Sequence, residues 1–288
     1  MKIRVKKINA FTDYLTGGNP AGVVFDSPVL SYKQMAYISK ILKVSETAFV
    51  YPSKKADFKL RFFTPSVEVD LCGHATIATF YTMALENKIF KENTSQETKI
   101  GILPIKIEYD SNKKVRKVMM KQARPQIKDI HIDISIIADS LNIPVEEIDE
   151  KIPLKAVSTG LYTLPISVKK YDVLKEMKPD FKKIRQICEK NNFGSYHVFT
   201  FETLELDSVY HARNFAPLYS VNEDPVTGTA NGAVCSFLLK NKIIKGNNFI
   251  CEQGDIIGRK GRVFVDIKND NVMVGGVAKI VEEKEIKL

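Results

Sequence analysis

The 288-residue chain is 44% hydrophobic and 27% charged, with a formal net charge of +9; that length favours two domains over one, and that apolar share is enough to bury a sizeable core. The basic residues are dispersed rather than interleaved with aromatics, and no Gly-rich phosphate loop or G-x-G-x-x-G occurs, which argues against a nucleic-acid binder; the densest basic stretch, Lys113 to Lys128, reads as a solvated strand face. No apolar stretch is long enough for a signal-peptide core or a membrane span, so a soluble, cytoplasmic protein is expected.

In chain order, alternation predicts a strand at Lys2 to Phe11, a turn at Gly17-Gly-Asn-Pro, and a strand at Gly22 to Phe25. Ser31 is a candidate cap for a helix to Leu42, with Met35, Ile38 and Leu42 on one face. Strands follow at Glu46 to Tyr51 and Asp57 to Phe63, and Val67 to Leu71 leads into a special turn. Ala75 to Glu86 is apolar on all sides, which predicts a central helix buried all round. Strands recur at Ile100 to Tyr109 and Lys114 to Gln122, and Arg124-Pro-Gln reads as a crossing to a second half.

The second half repeats the order. A helix is predicted at Ile134 to Leu141, strands at Lys155 to Thr159 and Thr163 to Val168, a helix at Phe181 to Asn191, and strands at His197 to Thr200 and Ser208 to Asn214. A second special turn, Glu223 to Thr229, precedes another apolar, small-residue helix at Ala230 to Asn241. Strands at Val263 to Ile267 and Asn271 to Val281 close the chain. Two such halves predict an α/β (α+β) architecture of two sheets, each curled around one helix.

The four cysteines, Cys72, Cys188, Cys235 and Cys251, form no C-x-x-C pair, and the four histidines, His74, His131, His197 and His211, stand at no metal-ligand spacing. Reduced thiols and no metal are therefore expected. The chemistry concentrates at the two turns, Asp70-Leu-Cys-Gly-His-Ala-Thr and Glu223-Asp-Pro-Val-Thr-Gly-Thr. Each places polar groups beside a glycine at a helix start, where unpaired N–H groups and the helix dipole favour an anion. Cys72 and His74 flank Gly73, which lets backbone approach a ligand, although taken alone these residues fit a buried core thiol and a capping His better. Glu46, entering an apolar strand, is either a general base or a turn cap. Asp224 and Thr229 likewise fit a binding turn or an ordinary N-cap.

Ala10-Phe-Thr-Asp, Gly18-Asn-Pro-Ala-Gly-Val, Ser45-Glu-Thr-Ala-Phe-Val, Arg61-Phe-Phe-Thr-Pro, Leu71-Cys-Gly-His-Ala-Thr, Arg213-Asn-Phe-Ala-Pro and Glu223-Asp-Pro-Val-Thr-Gly-Thr-Ala-Asn-Gly, in this order, resemble the PhzF family of phenazine-biosynthesis-like isomerases. The resemblance implies the diaminopimelate epimerase fold, two pseudo-symmetric halves that are each a curved, mostly antiparallel sheet or barrel around a central helix. The halves are expected at 1–117, with 275–288 returning to it, and at 118–274, with the turns near residues 73 and 228 lining one cavity. It also implies a cofactor-independent isomerase, commonly homodimeric. On that reading Glu46 is the general base, His74 and Asp224 are its polar partners, and Gly73, Gly228 and Thr229 form a carboxylate cradle, with Asn19 and Cys72 as further substrate contacts.

One departure bears on mechanism. Two-base epimerases of this fold carry a thiol at each helix start, and here Cys72 falls on one position while Thr227 falls on the other. An unaided threonine hydroxyl is far too weak to replace a thiol. One-base proton transfer within a small, cyclic or conjugated carboxylate is the favoured expectation. An amino- or hydroxy-acid racemase using Cys72 and a non-catalytic metabolite binder are its alternatives. The serine of the phenazine members is Thr229 here, which leaves the substrate open.

Overall fold

In the computed structural model, residues 1–25, 27 and 29–288 are described. The chain divides into two compact units, 1–121 with 275–288, and 122–274. The first unit runs β1 (Lys2–Ala10), β2 (Asn19–Val24), α1 (Tyr32–Leu42), β3 (Glu46–Tyr51), β4 (Phe58–Phe63), β5 (Glu68–Val69), α2 (Gly73–Leu85), β6 (Asn93–Thr98), β7 (Gly101–Tyr109) and β8 (Val115–Lys121). The second runs β9 (Gln126–Asp129), α3 (Ile134–Leu141), β10 (Lys155–Ser158), β11 (Tyr162–Ser167), α4 (Tyr171–Glu176), α5 (Phe181–Asn191), β12 (Ser195–Thr200), β13 (Tyr210–Ala216), β14 (Val221–Asp224), α6 (Gly228–Lys240), β15 (Asn248–Gln253) and β16 (Gly261–Lys268). β17 (Asn271–Gly276) carries the chain back, and β18 (Ala278–Lys287) pairs antiparallel with β1 across a register shift at Lys7/Ile8.

The repeat legible in the motifs is a repeat of topology. In the first unit β2 and β3 are parallel around α1, β3–β4 and β4–β5 are antiparallel, and after α2 the chain returns as β6, parallel to β4 and antiparallel to β7. In the second, β11 and β12 are parallel around α4 and α5, β12–β13 and β13–β14 are antiparallel, and after α6 the chain returns as β15, parallel to β13 and antiparallel to β16. Even the fasteners recur. Arg61 holds Glu68 through two contacts of 2.8 and 2.9 Å and lies over Phe63, and Arg213 holds Glu223 through two of 2.9 and 2.8 Å and lies over Phe215.

Helix α2 touches β1, β2, β3, β7, β8 and β18, and α6 touches β10, β11 and β16, so the strands of each unit pack about that unit's own helix. A helix so placed has no solvent face, which accounts for its apolar circumference. Four of the polar residues on these helices turn to their own backbone: Thr76 and Thr79 donate to the carbonyls of Cys72 and Ala75 at 2.8 and 2.7 Å, and Asn231 and Ser236 to those of Thr227 and Gly232 at 2.8 and 2.7 Å. Gly232 is required by packing, since a Cβ there would stand 2.6 Å from Val274 Cγ1. The outer helices α1, α3 and α5 are amphipathic and capped, α1 by Ser31 as expected. Ser31 and Gln34 form a capping box on α1, and Asp133 and Asp180 accept from the first turns of α3 and α5.

Several expectations need correction. Both central helices begin at their glycines, Gly73 and Gly228, rather than two residues later. The closing strand is two strands broken at Val277, whose carbonyl accepts from Phe11 N at 2.8 Å. Arg124-Pro-Gln is not only a crossing, because β9 pairs with β10 there. β6 and β15 escaped notice for one reason: their inward positions include buried polar residues, Thr94, Gln96 and Thr98 in one and Gln253 in the other. Among the described residues no helix is long and apolar enough to cross a membrane.

Candidate active site

In the first unit two elements deliver three of the expected residues to one place. Glu46 opens β3, Cys72 is the extended residue before α2 (φ −139°, ψ 114°), and His74 is the second residue of α2. His74 Nε2 lies 3.3 Å from Glu46 Oε2 and 3.4 Å from Ser45 Oγ, and Cys72 Sγ lies 3.4 Å from His74 Nδ1 and 3.7 Å from Nε2. The group is half sheltered: the side chains of Glu46 and His74 are 23% and 13% exposed, and Cys72 is buried. Glu46 Oε2 is itself buried yet accepts no well-directed hydrogen bond, so a lone pair stays available there. Cys72 does not cap α2 through its side chain. A carboxylate with spare accepting capacity, an imidazole to share charge with it, and a helix start are the parts needed to take up a proton and stabilise the anion left behind.

Gly73 starts this helix without packing pressure, since a Cβ there would meet only Met120 Cε at 3.6 Å. Asn19 is buried at the start of β2, two residues before Ala21, which pairs with Glu46.

In the second unit the matching turn is built differently. Thr227, extended before α6 (φ −118°, ψ 102°), donates its hydroxyl to Asp224 Oδ2 instead of capping its helix. Gln253 fastens the turn: its Oε1 accepts from Thr227 N at 3.1 Å and its Nε2 donates to Asp224 O at 2.8 Å. Asn231 in turn donates to Gln253 Oε1 at 3.0 Å and accepts from Tyr210 OH at 2.8 Å. Gly228 begins α6 and Thr229 follows, its carbonyl accepting from Thr159 Oγ1 at 3.1 Å. Of the turn's two carboxylates only Asp224 belongs to this network, because Glu223 is held by Arg213.

Matching the two topologies residue by residue sets Cys72 against Thr227 and Gly73 against Gly228. Thr47 pairs with Phe63 and Tyr196 pairs with Phe215, so Glu46 matches Ser195. The carboxylate and thiol of the first unit are thus replaced by hydroxyls in the second. Sequence reasoning missed Ser45 and Gln253. Ser45 was signalled by its place beside Glu46, whereas a glutamine ending an ordinary strand gave no signal.

His197 and the three cysteines of the second unit are fully buried. His197 is fully buried against Asn214 at 3.1 Å, and burial lowers its pKa to about 4. Cys188 is buried in the core, which pushes its thiol up to about 12. Cys235 and Cys251, 3.4 Å apart, are buried between α6 and β15.

A family described as phenazine biosynthesis-like protein, PhzC-PhzF, matches residues 8–284. The uncharacterized isomerase YfhB of Bacillus subtilis is 38% identical over 278 residues, covering 96% of this chain and 93% of its own. A PhzF-family phenazine biosynthesis protein of Bacillus anthracis has a crystal structure that matches with a TM-score of 0.92 at 33% identity, covering 100% of both chains. A hydroxyproline epimerase of Agrobacterium vitis shares the fold, with a TM-score of 0.64 at 12% identity over 99% of this chain and 91% of its own.

Proposed function

The chain belongs to the phenazine biosynthesis-like (PhzC-PhzF) family and is an isomerase, and we propose that it moves a proton within a small carboxylate-bearing, cyclic or conjugated metabolite by one-base catalysis, with Glu46 as the base and no cofactor. The observation that carries this reading is the placement of a carboxylate oxygen, buried and without a directed hydrogen bond, 3.3 Å from an imidazole at the start of a buried helix.

The chemistry balances with one group. Glu46 takes a proton from one carbon, the electron pair spreads through the conjugated system, and the same carboxyl returns the proton to another carbon on the same face. His74, 3.3 Å from Glu46 Oε2, shares the carboxylate's charge before the proton is taken and after it is returned, and holds the neutral carboxyl in place between the two steps. The free N–H groups at Gly73 and His74 stabilise the enolate-like charge or the substrate carboxylate. Cys72 and Asn19 are assigned to substrate contact, as are Gly228 and Thr229 in the second unit, where Asp224 is assigned a polar role. A second base has no candidate at the matching positions, since Ser195 and Thr227 are alcohols with no adjacent base strong enough to activate them toward carbon.

Turnover in heavy water tests the reading. Glu46→Gln keeps the shape of the side chain and is expected to lower turnover about 10²- to 10⁴-fold, with loss of solvent deuterium exchange at the reacting carbon. Unchanged turnover removes Glu46 from the mechanism. The racemase reading draws on one contact, Cys72 Sγ to His74 Nδ1 at 3.4 Å. Cys72→Ala abolishes activity if the thiol is a base, and raises KM with a smaller effect on kcat if it only lines the pocket.

A further inference from the structure

We propose that Glu46, Cys72 and His74 form a three-donor site for a divalent transition ion, with Zn²⁺ as the preferred occupant. One carboxylate oxygen, one sulfur and one imidazole nitrogen, from positions with no metal-ligand spacing in sequence, lie within 4.8 Å of one another. Zinc bonds of about 2.0–2.1 Å to nitrogen, about 2.0–2.2 Å to oxygen and about 2.3 Å to sulfur, set at tetrahedral angles, place nitrogen and oxygen about 3.4 Å apart and sulfur and nitrogen about 3.6 Å apart. The observed separations are 3.3 Å for His74 Nε2 to Glu46 Oε2 and 3.7 Å for Cys72 Sγ to His74 Nε2. Two of the three donor pairs are therefore already at ligand spacing, and the third, Cys72 Sγ to the Glu46 carboxylate, lies within 4.8 Å.

Two further features favour an ion. Glu46 Oε2 is buried without a directed hydrogen bond, so coordination by it displaces no such bond; the imidazole exchanges its 3.4 Å contact with Ser45 Oγ for the metal. The donors also sit on a strand start and a helix start, which need little ordering. The set of one sulfur, one nitrogen and one oxygen suits zinc or cobalt and disfavours magnesium and calcium, which take oxygen ligands. Binding releases the thiol proton to solvent, and the two anionic ligands neutralise the ion, with water in the fourth position. An occupied site has no free base at Glu46, so the ion holds the enzyme inactive; this consequence alone rests on the proton-transfer reading.

Cobalt titration of the full-length reduced protein tests the site without reference to turnover. The expected result is one Co²⁺ per chain, with tetrahedral visible absorption and a thiolate charge-transfer band, displaced by one equivalent of Zn²⁺. Cys72→Ser is expected to lose the charge-transfer band, and Glu46→Gln and His74→Ala to weaken binding about tenfold or more, with far-UV circular dichroism confirming that each variant is folded. Absence of stoichiometric binding, or a thiolate band that persists in Cys72→Ser, overturns the proposal. An enzyme whose site binds Co²⁺ in this way but which shows no isomerase turnover refutes the proton-transfer reading and leaves the metal site standing.

Discussion

Cys72 and Thr227 occupy the same place in two copies of one local fold: each is the extended residue before a 13-residue buried helix beginning at glycine, and neither caps that helix with its side chain. What differs is the partner. Cys72 faces the imidazole of His74, whereas the hydroxyl of Thr227 is spent on Asp224.

That difference predicts the behaviour of Thr227→Cys. The substitution supplies a second thiol but replaces a strong hydroxyl donor to a carboxylate with a weak one. A hydrogen bond to a charged group contributes about 1.5–3 kcal/mol, so kcat/KM for the isomerase is expected to fall about 10- to 150-fold with no racemase activity gained, while Thr227→Ser stays near the native value. Steady-state kinetics with polarimetry decides it, and optical inversion of substrate by Thr227→Cys would contradict one-base transfer.

Gly73→Ala separates binding from folding. The protein itself leaves room for the methyl group, with Met120 Cε at 3.6 Å as its nearest neighbour, and alanine is the better helix former by up to about 1 kcal/mol. Thermal stability is therefore expected to hold or rise. If the glycine serves close approach of a substrate carboxylate, KM rises about tenfold or more. A variant with native KM assigns Gly73 to backbone geometry alone.

Much of this was legible because each central helix is preceded by a motif and is apolar all round, a combination a surface helix does not show. Helices α3 and α5 fell at the bounds expected for them, and the structure adds their Asp caps, Asp133 and Asp180. Glu46, Cys72 and His74 could be named singly, but their mutual distances depend on strand β3 beginning beside the start of α2, and no residue spacing encodes that. β6 was hidden because Thr94, Gln96 and Thr98 face inward, and Gln96 is there to meet Thr76 on α2 at 3.3 Å. The role of Glu223 was hidden as well. Its carboxylate read as part of the turn chemistry, yet its partner Arg213 lies on a neighbouring strand, ten residues earlier.

The paired arginines give a stability prediction. Arg213 is almost fully buried, and besides Glu223 it donates to the carbonyls of Leu174 and Met177 at 3.0 and 3.3 Å. Arg213→Ala strands a sheltered carboxylate and two acceptors, so a loss of about 3–5 kcal/mol is expected. Arg61 is 31% exposed, and Glu68 keeps Lys99 at 3.1 Å when it is removed. For Arg61→Ala a loss of about 1 kcal/mol is expected. Urea unfolding followed by far-UV circular dichroism measures both, and equal losses would show that the matching geometry carries matching energy.

His211 sets a pH dependence in the second unit. Its ring is fully buried, with Nδ1 2.9 Å from Glu252 and Nε2 2.5 Å from Asp255. Burial opposes the imidazolium, but the two carboxylates outweigh it and raise its pKa, while burial of Glu252 and Asp255 is likewise outweighed and both are lowered. Tyr171, which donates to Asp255 at 2.9 Å, is pushed up to about 12 by burial and by that carboxylate, so it stays a donor throughout. A raised histidine adds stability that is complete below its unfolded value of about 6.5 and lost as pH climbs through the higher folded value. Lowered carboxylates add stability that is complete above about 4 and lost as pH falls through their folded values. From this cluster the second unit is most stable between about pH 4.5 and 6.5. Native-state hydrogen exchange of β13 and β15 is expected to quicken as pH rises above that window, after correction for intrinsic exchange rates. His211→Gln removes this slope while lowering protection at pH 6, and a slope that survives the substitution would place the sensitivity in other groups.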